Sequence, residues 1–126
     1  MTSLRGQLGK SGERDAESYL IKHKLRLIER NYSCRSGEID LIMVDPNPED
    51  AEEVLTFIEV RLRGAGARTD GLESIDRGKQ NRLIRAARHF LMSTSPQWDR
   101  HPCRFDVISW SSENDRPIWV TNAFEP

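Results

Sequence analysis

Cysteine is scarce in this chain, and long apolar runs are absent. Its 126 residues include two cysteines, Cys34 and Cys103, too few for a disulfide framework. The longest strongly apolar runs are four residues, such as Leu41 to Val44, far short of the roughly 20 that a membrane-spanning helix needs. The opening segment, Met-Thr-Ser-Leu-Arg-Gly-Gln-Leu-Gly-Lys, has no apolar core of the secretory kind. These absences predict a cytoplasmic protein with no membrane partner. Basic residues are missing too, but only locally: residues 36–60 contain no lysine or arginine.

What is present fits one folded domain. Hydrophobic residues make up 37% of the chain and charged residues 31%. That balance still supplies apolar runs for a core and argues against wholesale disorder. At roughly 100–200 residues per domain, residues 1–126 read as a single unit.

The net charge of −1 hides a block pattern. Residues 1–35 carry eight bases and four acids, 36–60 eight acids and no base, 61–104 ten bases and four acids, and 105–126 one base and four acids. Solvated faces that happen to cluster would give such blocks. So would an acidic, cation-binding centre inside a basic surface that attracts phosphates.

The periodicity predicts the element order α-β-β-β-α-β-β, a mixed α/β sheet with helices packed against it. Ser11 is the expected N-cap of the first helix, with Ala16, Leu20 and His23 on its inner face and Glu13 on the N-terminal extension of that face. Leu25 to Tyr32, Glu38 to Val44 and Val54 to Arg63 read as strands. In the third, Leu55, Phe57, Glu59, Arg61 and Arg63 share one face. A Gly-rich loop, Gly64 to Arg68, leads towards a second helix over Arg77 to Met92. That helix has a buried stripe of Leu83, Ala87, Phe90 and Leu91 and a largely basic one of Arg82, Arg85 and His89. Arg104 to Trp110 and Ile118 to Thr121 close the sheet.

Two carboxylates stand out in this scheme. A hairpin centred on the polar loop between the second and third strands puts Asp40 directly opposite Glu59. Like charges so opposed destabilise a sheet, and Glu59 extends an apolar face where an unpaired carboxylate is desolvated. Arg61 supplies one compensating charge. A divalent cation would supply two more, and paired carboxylates on neighbouring strands are what Mg²⁺ or Mn²⁺ takes as hard oxygen ligands. An Asp–Arg–Glu ion-pair network without metal fits the same pattern.

Other motifs carry less. Gly9-Lys10-Ser11 lacks the glycine of a phosphate-binding loop five positions earlier, where Leu4 stands. Cys34, His101 and Cys103 lack zinc spacing, and no nucleophile elbow is evident. Trp98, Trp110 and Trp119 are aromatic enough to stack on bases, but the latter two fall in strands, where core packing is expected.

Several segments resemble one family. Gly12-Glu13 with Ala16 and Tyr19-Leu20, Gly37-Glu38-Ile39-Asp40-Leu41-Ile42, Phe57-Ile58-Glu59-Val60-Arg61-Leu62-Arg63, Lys79-Gln80 and Arg104-Phe105-Asp106-Val107 follow, in order, the pattern of the YraN family of bacterial proteins. The resemblance implies a restriction-endonuclease-like fold, similar to archaeal Holliday junction resolvases with their D…ExK metal-dependent nuclease pattern. It makes Asp40 and Glu59 ligands of Mg²⁺ or Mn²⁺, matches Glu13 to the first-helix glutamate of such nucleases, and leaves Glu38 as the reserve ligand. Position 61 departs from the pattern, carrying arginine where the nucleases carry lysine, and arginine stays charged in proteins. Arg61 can stabilise charge on a phosphate in transfer, and Lys79 is the candidate for the displaced lysine. Gln80 resembles the helix glutamine of those nucleases. Arg35, Arg63, Arg82 and Arg85 are the expected phosphate contacts. The resemblance thus implies a nuclease acting on nucleic acid, with DNA as the expected substrate, and the homodimer of resolvase-like relatives. A module on the same fold that binds nucleic acid without cleaving it is the alternative.

Overall fold

The computed structural model describes residues 4–46, 52–63, 75–111 and 117–126, with side chains from residue 12 in the first helix and up to residue 61 in the third strand. The expected loops at 64–68 and, for the most part, at 45–53 and 111–117 lie outside the described residues. The element order is α1 (Leu4–Lys22), β1 (Arg26–Cys34), β2 (Gly37–Asp45), β3 (Val54–Arg63), α2 (Arg77–Thr94), β4 (Cys103–Ser111) and β5 (Ile118–Phe124). This is the predicted α-β-β-β-α-β-β order.

One five-stranded sheet runs β1-β2-β3-β4-β5. β3 and β4 are parallel, and the other neighbours are antiparallel. A parallel pair needs a crossover, which α2 provides. The helices cover opposite faces. Ala16 and Leu20 of α1 pack on Leu25, Leu41, Met43, Ile58 and Ile108. Phe90 and its neighbours on α2 pack on Ile42, Val44, Leu55, Phe57 and Phe105, among others. β2 is covered on both sides, so Leu41, Ile42, Met43 and Val44 are all buried and read as a continuous apolar run rather than an alternation.

Two expectations about α1 need correction. The helix starts at Leu4, not after Ser11. Gly6, Gly9 and Gly12, each about 1 kcal/mol less helix-favouring than alanine, disguise its first turns, and Ser11 imitates a cap. Gly12 is buried, and with Ala16 and Leu20 it continues one stripe at intervals of four. His23 is exposed rather than part of the inner face, because the helix has ended before it. There the Leu25 N–H bonds to Leu20 O and the Lys24 N–H to Ile21 O, with Lys24 left-handed at φ 74°. This is a Schellman closure with its usual apolar contact, here Leu20 to Leu25.

α2 begins on a side-chain cap. Asp76 Oδ1 accepts from the Lys79 N–H at 2.8 Å, and Gln80 Nε2 donates to Ile75 O at 2.7 Å. These bonds fix the first turn, and with it the direction in which Lys79 leaves the helix. Asp76→Ala is expected to cost about 1 kcal/mol, read as a lower midpoint in urea denaturation. An unchanged midpoint would show that packing alone starts the helix. The buried stripe of α2 also takes in Ile84 and Ala86, while Leu91 is only half-buried. Among the tryptophans, Trp98 is the buried one, and Trp110 and Trp119 are half-buried.

Candidate functional site

The hairpin register is the predicted one. Leu41 pairs with Ile58 and Asp45 with Val54, which sets Asp40 against Glu59 at the next position. Here the regular ladder gives out. Ile39 packs in the α2 cluster while Leu41 packs under α1, so strict alternation breaks at Asp40. Asp40 Oδ2 accepts from the Val60 N–H at 2.8 Å, and a side chain thereby satisfies a backbone donor.

Glu59 points towards α2. Its Oε1 lies 3.0 Å from Lys79 Nζ, the glutamate side chain being 9% exposed and the lysine 45%. With Gly37, Glu38, Arg82 and Leu83, the three charged groups line a pocket of about 180 Å³. A Cβ on Gly37 would sit 3.4 Å from Arg82 Cβ, so glycine there lets β2 lie close against α2.

Burial pushes the Glu59 carboxyl up to about 7, and the charge of Asp40 adds to the shift; Lys79 and Arg61 pull it back. Burial also raises Asp40, opposed by the Val60 N–H and Lys79, reinforced by Glu38, and opposed again by a hydrogen bond with Glu13. Glu13 therefore reaches Asp40 from α1. The structure brings together Glu13, Asp40, Glu59, Arg61 and Lys79, the five residues singled out as catalytic candidates.

The candidate phosphate contacts are more scattered. Arg82 and Arg85 lie exposed one turn apart on α2, a helix that carries Arg77, Lys79, Arg82, Arg85 and Arg88 and no acid. Arg35 is exposed in the turn between β1 and β2. The side chain of Arg63 lies outside the described residues. The Gln80 amide is already engaged with Ile75. A link that the sequence did not suggest joins Tyr32 Oη to His89 Nδ1, tying edge strand β1 to α2. Those residues are 57 positions apart, and no local signal marks the pair.

Among the described residues, no three His, Cys, Asp or Glu side chains form a ready metal cage. The donor set fits a different kind of site. Mg²⁺ typically takes one or two carboxylates and fills its octahedron with water and substrate phosphate, and Asp40 and Glu59 are two carboxylates that burial, and for Glu59 also the charge of Asp40, push towards the protonated form. Lys79 partly opposes that push.

No described helix is long and apolar enough to cross a membrane. The family model for the uncharacterised protein family UPF0102 matches residues 12–110. A UPF0102 protein of Ectopseudomonas mendocina is 43% identical over 124 residues, 98% of each chain. One from Nitrosococcus oceani is 47% identical over 118 residues, 92% of this chain and 90% of the relative. One from Nitrosospira multiformis is 45% identical over 120 residues, 93% of this chain and 92% of the relative. The match spans every residue of the carboxylate pocket, and the chain belongs to the UPF0102 family, the YraN family that its motifs resemble.

Proposed function

We propose that this protein is a nuclease-type phosphodiesterase that uses Mg²⁺ or Mn²⁺ and acts on DNA. One observation carries the reading: two carboxylates that repel each other are held side by side at the point where the β2–β3 ladder opens, with a lysine and a basic helix beside them. An arrangement that costs stability and perturbs protonation in a pocket marks a functional site more often than a structural one.

In this reading Asp40 and Glu59 hold the cation, and Glu13, which reaches Asp40 from α1, adds a third carboxylate beside them. The cation, when bound, polarises a phosphoryl oxygen and lowers the pKa of bound water. Lys79 supplies from α2 the lysine that the strand lacks at position 61. Arg61 remains charged and offsets negative charge near Glu59. Arg82 and Arg85 hold backbone phosphates along the exposed face of α2. One feature favours the second reading, a module that binds without cleaving: Lys79 already closes an ion pair with Glu59 at 3.0 Å.

Calorimetric titration of Mn²⁺ into the protein and into its Glu59→Gln variant separates the two. A cation site in the wild type that disappears in the variant is the expected result, and cleavage of branched, single-stranded and duplex DNA is then compared. No site in either protein would move the assignment to the binding module. In both readings DNA affinity falls linearly with salt on logarithmic axes.

A further inference from the structure

On the α1 side of the sheet, α1 and β1 enclose a groove of about 650 Å³. Glu13, Arg14, Glu17 and Ser18 contribute from α1, and Arg30 and Asn31 from β1. Its volume is that of a small-molecule site, and its chemistry is unlike that of the first pocket. The two glutamates balance the two arginines, so the groove is not built for a bare anion or a bare cation. Glu17 holds the Arg30 guanidinium through both of its oxygens, the Nη2 bond measuring 2.9 Å, and so fixes the orientation of that plane. Asn31 stands in the left-handed region at φ 52°, which asparagine tolerates better than most residues. The Ser18 hydroxyl and the Asn31 amide make no hydrogen bond to any described residue and remain available to a ligand.

The groove is also adjacent to the proposed chemistry. Glu13 lines it and bonds to Asp40, while Leu41, the residue after Asp40, lies beneath it. Glu13 thus links the groove to the carboxylate pair. A nucleobase suits what is there. It has a flat face for a fixed guanidinium plane and an edge of adjacent donors and acceptors for an asparagine amide. A paired base is excluded, because its edge is occupied and its partner strand follows it; enzymes that take a base into a pocket need it unpaired or flipped.

We propose that the groove between α1 and β1 takes an unpaired nucleobase next to the phosphate held by Lys79 and by the cation on Asp40 and Glu59, so that the substrate is nucleic acid with an unstacked nucleotide rather than continuous duplex. The inference rests on the nuclease reading of the carboxylate pocket and adds the class of substrate to it.

The test is binding without divalent cation, in EDTA, using oligonucleotides that carry 2-aminopurine. The wild type is expected to bind a single-stranded or gapped oligonucleotide about tenfold more tightly than the same sequence in duplex, the scale of one base contact, with a change in 2-aminopurine fluorescence. A Ser18→Ala, Asn31→Gly double variant, which keeps the left-handed backbone accessible at position 31, is expected to lose that preference while duplex affinity and its salt slope stay unchanged. Equal affinity for both forms, or a preference that survives in the variant, would overturn the groove assignment and leave nucleic-acid binding standing. Failure of the wild type to bind any oligonucleotide, in EDTA or with divalent cation added, would overturn this inference together with the reading beneath it.

Discussion

Replacing Asp106 with alanine is expected to cost about 3–5 kcal/mol, the usual penalty for breaking a buried ion pair. Asp106 is 1% exposed on β4, and both of its oxygens are occupied. Oδ1 accepts from Arg104 Nε at 2.8 Å and from the Asn122 N–H at 2.9 Å. Oδ2 accepts from Arg104 Nη2 at 2.9 Å and from Trp119 Nε1 at 3.0 Å. Arg104 Nη2 also reaches Asp45 Oδ2 at 2.9 Å. One carboxylate thus ties β4 to edge strand β5 and, through Arg104, to β2. Alanine strands a half-buried guanidinium and two N–H donors at once. For a domain of this size the melting temperature is expected to fall by roughly 10–20 °C, as measured by circular dichroism. A fall of only one or two degrees would show that solvent replaces the lost bonds. Because the loss comes mainly from uncompensated partners, Arg104→Met combined with Asp106→Leu is expected to cost much less than the two single changes together.

The second large effect is a dependence on pH. The ionised form of Glu59 is disfavoured in the folded protein, where its pKa rises from the ordinary 4.5 to about 7. The folded state therefore binds this proton more tightly than the unfolded state. Glu59 favours folding fully below about pH 4.5, and that contribution is lost as pH rises through 7. The shift corresponds to about 3 kcal/mol. Glu59→Gln removes the ionisation, so the variant is expected to be more stable than the wild type at pH 8 by up to that amount, with little difference at pH 5. Guanidinium denaturation at the two pH values measures this directly. A variant no more stable than the wild type at pH 8 would show that Lys79 and Arg61 fully compensate the charge. A smaller slope of the same sign is expected to persist in the variant, because Asp40 is raised as well.

The carboxylate pair was legible in the sequence because it depends on a hairpin register, and register follows from the length of one loop and the strict period of a strand. Lys79 was legible as the only lysine after Lys24. The start of α1 was not, because glycines and a serine send a local signal that tertiary packing overrides. The Asp106 network was hidden for a different reason. Arg104 and Asp106 share a strand face and could be seen as a pair, but Asp45, Trp119 and Asn122 arrive from two other strands. Nothing near residue 106 in sequence announces them. The groove between α1 and β1 was equally invisible, since its lining comes from the outer side of a helix and an edge strand whose pairing shifts register between Leu27 and Glu29, neither of which carries a motif.

The bond from Asp40 to the Val60 N–H bears on how mutants of this family are interpreted. A carboxylate that completes the hairpin's backbone pairing is part of the scaffold as well as part of the pocket. Asp40→Ala removes negative charge and orphans a backbone donor in the same step, so a dead Asp40→Ala protein says little about chemistry. Asp40→Asn keeps an oxygen on Val60 while removing one of the site's negative charges. It is the informative substitution: loss of cation binding with an intact melting curve assigns Asp40 to the site, whereas loss of both assigns it to the architecture that holds the site open.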